Sequence, residues 1–196
     1  MAGMTFLERW LVSSPFRAYL ARGEIDALLR WANLPEDAAV LDMGNGPGIV
    51  TARLAGKARL RLLAAFDFDA AMVERSRRRL RGVAPVRLLV GDAARMPFRD
   101  GAFDAVFDLG VVHHVPDWRQ ALAETARVLK PGGRFAFAEP SRGRLMRMYR
   151  LLPHARESMF DVDEWRSALA DAGLRIEGEL RRLPLWDICG VAVTQS

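Results

Sequence analysis

The sequence predicts an α/β fold, with helices covering both faces of a mainly parallel sheet. Three observations predict it. Short apolar runs alternate with stretches of helical period from residue 38 through residue 139, a glycine-rich loop joins the first run to the first helix, and two β-rich segments close the chain. At 196 residues, with 51% hydrophobic and 27% charged side chains, the chain fits one domain with a sizeable core. Residues 1–37 read as a helical extension and residues 38–196 as the α/β core.

Residues 4–32 carry helical periodicity. Phe6, Leu7, Trp10 and Leu11 share one face, Ser14-Pro15 marks a helix start, and Ile25, Leu28, Leu29 and Ala32 form a second apolar stripe. Neither run carries chemistry, so both read as helices packed on a sheet; Trp10, Phe16 and Tyr19 are the candidates to roof a ligand pocket. Ala39, Val40 and Leu41 then form a buried strand that stops at Asp42, and a loop with Gly44, Gly46 and Gly48 opens into a helix from Ile49 to Ala55. Alternate glycines let the backbone turn sharply and let a ligand approach it, while the helix N-terminus offers unpaired N–H groups to a carboxylate or phosphate. A dinucleotide fingerprint requires its third glycine at position 49, where this chain has Ile49.

LRLLAAF forms a second strand ending at Asp67. A carboxylate at this point, about 20 residues or more beyond the glycine loop, is placed to accept from both ribose hydroxyls, which supports adenosine binding without choosing a cofactor. Asp69 caps the next helix, whose apolar side carries Met72, Val73 and Leu80 and whose Arg75, Arg77, Arg78, Arg79 and Arg81 read as a solvated face. VRLLV is a third strand, followed by Gly91-Asp92-Ala93 and the loop Met96-Pro97-Phe98. AVFDL is a fourth, followed by the pair His113-His114. Adjacent side chains diverge on most backbones and no Cys, Asp or Glu set stands at ligand spacing, which argues against a metal.

Asp117 starts a helix through Leu122, Ala126 and Leu129, stopped by Lys130-Pro131-Gly132-Gly133, and RFAFAEP is the fifth strand. Between residues 141 and 160, Arg142, Arg144, Arg147, Arg150 and Arg156 are interleaved with Met146, Met148 and Tyr149, which fits either an anionic acceptor or the chain's general arginine bias. Asp161 to Ala172 is a capped helix. Arg175–Leu183 and Gly190–Thr194 are closing strands, and the break Leu183-Pro184-Leu185 suits a connection longer than a tight turn.

Composition narrows the function classes. The net charge is +5, but Lys57 and Lys130 are the only lysines and the arginines are scattered, without the dense stripe that nucleic acid requires. Cys189 stands alone, which excludes an internal disulfide and a cysteine metal cluster. No apolar run reaches membrane-spanning length, and Glu8 and Arg9 interrupt the N-terminal apolar stretch, a poor secretory signal. A cytoplasmic setting is the default expectation.

Asp42-x-Gly44-x-Gly46-x-Gly48, taken with Asp67, Gly91-Asp92-Ala93, the His113-His114 segment and Leu129-Lys130-Pro131-Gly132-Gly133, resembles the class I S-adenosylmethionine-dependent methyltransferases. The likeness is to their small-molecule members and covers roughly residues 38–195. It implies a Rossmann-like three-layer sandwich, usually with seven strands of which the last is antiparallel, and S-adenosyl-L-methionine as cofactor. By this resemblance Asp42 suits the cationic amino acid moiety, and Gly44, Asn45, Gly46 and Gly48 surround its carboxylate. Asp67 takes the ribose with Phe68 and Met72 beside it, Asp92 and Ala93 meet the adenine, and Asp108 and Leu109 lie along the methionine arm. His113 or His114 stands near the acceptor and would remove its proton if that group is a hydroxyl or amine. Methyl transfer then proceeds by in-line displacement, without a protein nucleophile, and positioning supplies most of the acceleration.

Asn45 stands where the family often has Cys or another small residue, a tolerable departure because the loop works through its backbone. Asp108-Leu109-Gly110-Val111 replaces the Asn-Pro-Pro-aromatic segment of many nucleobase methyltransferases, which points instead to a small metabolite such as a quinol, phenol, amine or carboxylate, with an RNA or protein acceptor behind it. A lone Cys189 speaks against arsenic chemistry, and oligomeric state is not encoded in these features. Two other readings stand beside this one: a non-catalytic S-adenosylmethionine-binding regulatory or partner protein, and an NAD(P)-dependent oxidoreductase, against which Ile49 weighs.

Overall fold

The computed structural model describes residues 15–57, 59–83, 86–143, 160–178, 180–184 and 186–195. Helix α1 (Pro15–Ala32) leads into β1 (Ala38–Met43), α2 (Ile49–Lys57), β2 (Leu60–Asp67), α3 (Ala70–Arg79) and β3 (Val86–Val90). Strand β4 (Phe103–Leu109), a 3-10 turn (Val112–His114), α4 (Trp118–Val128) and β5 (Leu129–Glu139) follow, then α5 (Val162–Asp171), β6 (Leu174–Ile176), β7 (Arg181–Leu183) and β8 (Trp186–Thr194). The sheet order is β3-β2-β1-β4-β5-β8-β6, with β7 also paired to β8. Strands β1 to β5 run parallel and β8 runs antiparallel to β5.

Alternation of side chains splits the core between two faces. Ala39, Leu41, Met43, Phe66, Val106, Phe135 and Phe137 point toward α4 and α5, where Trp118, Leu122, Trp165 and Leu169 are buried with them. Val40, Leu63, Ala105, Phe107, Ala136 and Ala138 point the other way, onto Ile25, Leu28 and Ala32 of α1 and Leu54 of α2. Helix α1 is thus part of the core on that face. Tyr19 is 70% exposed, and Trp10, the side chain of Phe16 and the segment holding Arg144, Arg147, Arg150 and Arg156 lie outside what is described.

The expected caps form. Asp69 accepts from Ala71 N, Asp117 from Gln120 N, and Asp161 makes a reciprocal capping box with Glu164. Three strand boundaries differ from expectation. The penultimate strand is broken: β6 and β7 are separate three-residue segments pairing with successive parts of β8. The last strand begins at Trp186, the register partner of Leu183, so only two positions separate the two strands, against the longer connection expected. Leu129 already pairs with Phe103, and the Lys130–Gly133 stretch is an irregularity inside β5.

Candidate functional site

The strand order reverses between β1 and β4, so the crevice beyond their carboxyl ends is where an open α/β sheet places a ligand. The glycine loop lies there. Gly44, Gly46 and Gly48 all have positive φ, at 62°, 48° and 80°. At Gly44 a Cβ would fall 2.5 Å from both methyl carbons of Val111, which follows β4, and at Gly48 it would fall 2.5 Å from Ser76 Oγ on α3. These two glycines therefore let the loop sink between β4 and α3. Substituting Gly44 by Ala combines that collision with left-handed backbone strain. We expect Gly44→Ala to lose about 1–3 kcal/mol of stability, read from the denaturation midpoint; an unchanged midpoint would mean that Val111 moves aside freely.

Asp67 fixes the middle of the loop. Its Oδ2 accepts from Gly46 N at 2.8 Å and its Oδ1 from Asp69 N at 2.8 Å. Each oxygen keeps a second lone pair, and the residue retains solvent access. Burial nevertheless raises its pKa, against the lowering by these N–H donors. Phe68, next along, is 53% exposed and offers a flat apolar face at the same strand end. Asn45 supports the loop from within: its backbone N donates to Phe66 O at 2.8 Å, its Nδ2 donates to Ser76 Oγ at 2.6 Å, and its buried Oδ1 has no donor. Arg79, expected on a solvated face, reaches back and donates from Nε to Pro47 O at 2.8 Å.

Other candidates take different positions. Asp42 is 1% exposed and accepts from Thr51 Oγ1 at 2.5 Å, so it braces the loop's helix from behind. Burial pushes its carboxyl up to about 7, opposed by the Thr51 hydroxyl and assisted by the carboxylates of Asp67 and Asp108. Met72 is wholly buried and presents no surface to a ligand. Asp92 folds its Oδ1 onto Ala94 N at 2.9 Å beside buried Ala93, and the following loop is pinned where Met96 N donates to Glu124 at 2.7 Å. Arg127 grips the same loop through the carbonyls of Phe98 and Met96, and its guanidinium holds Glu124 below the usual carboxylate range.

Four neighbouring strands, β2, β1, β4 and β5, carry a carboxylate at or near their carboxyl ends: Asp67, Asp42, Asp108 and Glu139. Leu109, beside Asp108, is partly buried. Glu139 was not expected to matter, yet it gathers the segment after β4. Its Oε1 accepts from Val111 N at 2.9 Å and Val112 N at 2.6 Å, and its Oε2 lies 2.5 Å from His113 Nδ1. Val111 N also reaches Asp108 Oδ1 at 3.0 Å, so the two carboxyl groups share one donor and sit side by side. Both are fully buried, and burial plus the neighbouring Glu139 charge raises the Asp108 pKa far above the ordinary carboxylate value.

The rings of His113 and His114 do not diverge. Their centroids lie 3.9 Å apart with 40° between planes, His113 buried and His114 exposed. Among the described residues no group of three or more His, Cys, Asp or Glu side chains is placed to hold a metal. None of the described helices is long and apolar enough to cross a membrane.

Known proteins resemble this chain in sequence and in fold. The methyltransferase domain family matches residues 41–137. Malonyl-[acyl-carrier protein] O-methyltransferase of Geobacter sulfurreducens is 33% identical over 158 residues, covering 75% of this chain and 59% of that protein. Demethylmenaquinone methyltransferase of Clavibacter sepedonicus is 40% identical over 100 residues, covering 51% of this chain and 40% of that one. The chain spans about half the length of the curated relatives it matches. A SAM-dependent methyltransferase from Aquifex aeolicus superposes with a TM-score of 0.80 over 97% of this chain and 99% of that one; at 22% identity this speaks to the fold alone. Through the match that runs from β1 to β5, the chain belongs to the methyltransferase domain family.

Proposed function

We propose that this chain is an S-adenosylmethionine-dependent methyltransferase acting on a small-molecule acceptor, working as one domain with α1 as part of its core. The observation that carries the reading is Asp67: a solvent-accessible carboxylate, oriented by Gly46 N, beside the crevice where the strand order reverses. The residues present fit the cofactor. Asp67 has free lone pairs for two ribose hydroxyls, Phe68 offers a ring face suited to an adenine, and Asn45 Oδ1 is a buried acceptor without a donor at the loop. Gly44, Gly46 and Gly48 would surround the amino acid end, Asp92 and Ala93 the adenine edge, and Leu109 the methionine arm. When bound, S-adenosylmethionine supplies an activated methyl group on a sulfonium for in-line displacement.

The chain's own part is to bind, orient and exclude water. His113 and His114 stand on the acceptor side, where an imidazole takes a proton from a hydroxyl or amine acceptor. A relative named for demethylmenaquinone supports an acceptor of small-molecule size. The test is calorimetric titration with S-adenosylmethionine, S-adenosylhomocysteine and NADH, followed by turnover against a panel of quinols, phenols, amines and carboxylates. Micromolar binding of both sulfur ligands, with none of NADH, is expected. NADH binding alone would overturn the reading in favour of an oxidoreductase, and cofactor binding without turnover on any acceptor would favour a regulatory binder.

A further inference from the structure

We propose that Glu139 is the positioning residue of the acceptor side, holding His113 in the tautomer that carries its proton on Nδ1 and so leaving Nε2 as the basic nitrogen. The proposal rests on the methyltransferase reading for its purpose, but its geometry stands independently. Glu139 is wholly buried at the end of β5 and, among the described residues, meets the donors Val111 N, Val112 N and His113 Nδ1, the backbone N–H of His113 and the carboxyl of Asp108. A carboxylate with two amide N–H groups on Oε1 can keep its charge in the interior, and its remaining oxygen then demands a donor from the ring.

Asp108 is the less well solvated partner. It shares the Val111 N–H with Glu139 and lies near the Val112 N–H, and its buried Oδ2 has no donor within hydrogen-bond distance. Two adjoining carboxyl groups in the interior cannot both ionise, so the proton between them belongs on Asp108, which donates it toward Glu139. Every proton in the cluster then has an acceptor: Asp108 O–H, Val111 N–H, Val112 N–H and His113 Nδ1–H all converge on Glu139. Glu139 anchors the turn at Val112–His114, and the His113 imidazole packs against the ring of exposed His114. Asp108 and Glu139 touch neither acceptor nor cofactor in this account; they act through His113.

Long-range proton–nitrogen spectra of protein labelled with nitrogen-15 histidine, at pH 8 and assigned with His113→Gln and His114→Gln, read the tautomer directly. In the unaltered protein His113 Nδ1 is expected to be pyrrole-type and Nε2 pyridine-type. Glu139→Gln reverses the preference. With its amide oxygen kept on Val111 N and Val112 N, the new NH2 group donates to His113 Nδ1, which becomes pyridine-type, while His114 is unchanged. A pyridine-type Nδ1 in the unaltered protein would overturn the proposal, and so would a well-folded Glu139→Gln that leaves the His113 pattern as it was. If Glu139→Gln does not fold, the unaltered protein alone still decides. Calorimetry with S-adenosylmethionine on the same sample separates the two ideas: absence of binding beside a pyrrole-type Nδ1 would fail the cofactor reading and leave the tautomer assignment standing.

Discussion

Chemical unfolding of this protein should require less denaturant at pH 8 than at pH 5. Asp42 ionises at about 7 in the folded chain, against 3.8 for an ordinary aspartate, because burial disfavours its charge. Between those values the folded chain holds a proton that the unfolded chain has released, so raising the pH draws the equilibrium toward the unfolded state. The contribution is fully present below about pH 4 and is lost as the pH passes about 7. A shift of about three pH units corresponds to roughly 4 kcal/mol. Asp108, Glu139 and Asp67 are raised in the same direction and add to the trend. Asp42→Asn preserves an acceptor for Thr51 Oγ1 without the charge, so its advantage over the unaltered protein should be smallest below about pH 4, grow through pH 5 and level off above about pH 7. A midpoint that stays level or rises from pH 5 to pH 8 would mean that the interior around Asp42 is better solvated than its 1% exposure implies.

The second large effect belongs to Asp67. Its removal takes away two acceptor positions for ribose hydroxyls and also frees Gly46 N, which donates to it at 2.8 Å. Hydrogen bonds to a charged acceptor contribute about 1.5–3 kcal/mol each, so Asp67→Ala should weaken S-adenosylmethionine binding by about 100-fold or more. Asp67→Asn, which keeps one acceptor oxygen, should fall between. Calorimetry gives the affinity and a denaturation curve checks that the fold survives. Undiminished affinity in a folded Asp67→Ala protein would remove this residue from the ribose site.

What the sequence made legible was whatever depends on near neighbours along the chain. The short apolar runs of β1, β2 and β5, and the caps Asp69, Asp117 and Asp161, act over a few residues and could be read directly. Glu139 could not be, since its partners lie 26 to 28 residues away and it looked like the polar end of an apolar run. One signal was present: Asp42, Asp67 and Asp108 occupy comparable places near the ends of their own strands, and Glu139 completes that row on β5. The start of β8 was hidden for a related reason. Asp187 interrupts its apolar pattern, and only the fold reveals that it accepts from Ser141 N and Oγ, 46 residues earlier. The glycine loop was read as ligand space, whereas Gly44 and Gly48 also make room for Val111 and Ser76. Arg79 is exposed, as expected of a solvated face, but its reach to Pro47 O, 32 residues away, was not legible.

The broken penultimate strand bears on how the protein behaves in a crowded solution. A sheet ends in unpaired N–H and C=O groups that can recruit a strand from another molecule. Here one border consists of two three-residue pieces with Arg175, Arg181 and Arg182 exposed on them, and the other is β3, five residues long with exposed Arg87 at its second position. Neither border offers a long, flat, uncharged template. An incoming strand would have to bridge the gap in one and approach fixed positive charges on both. The interruption between β6 and β7 thus guards against fibre-like self-association.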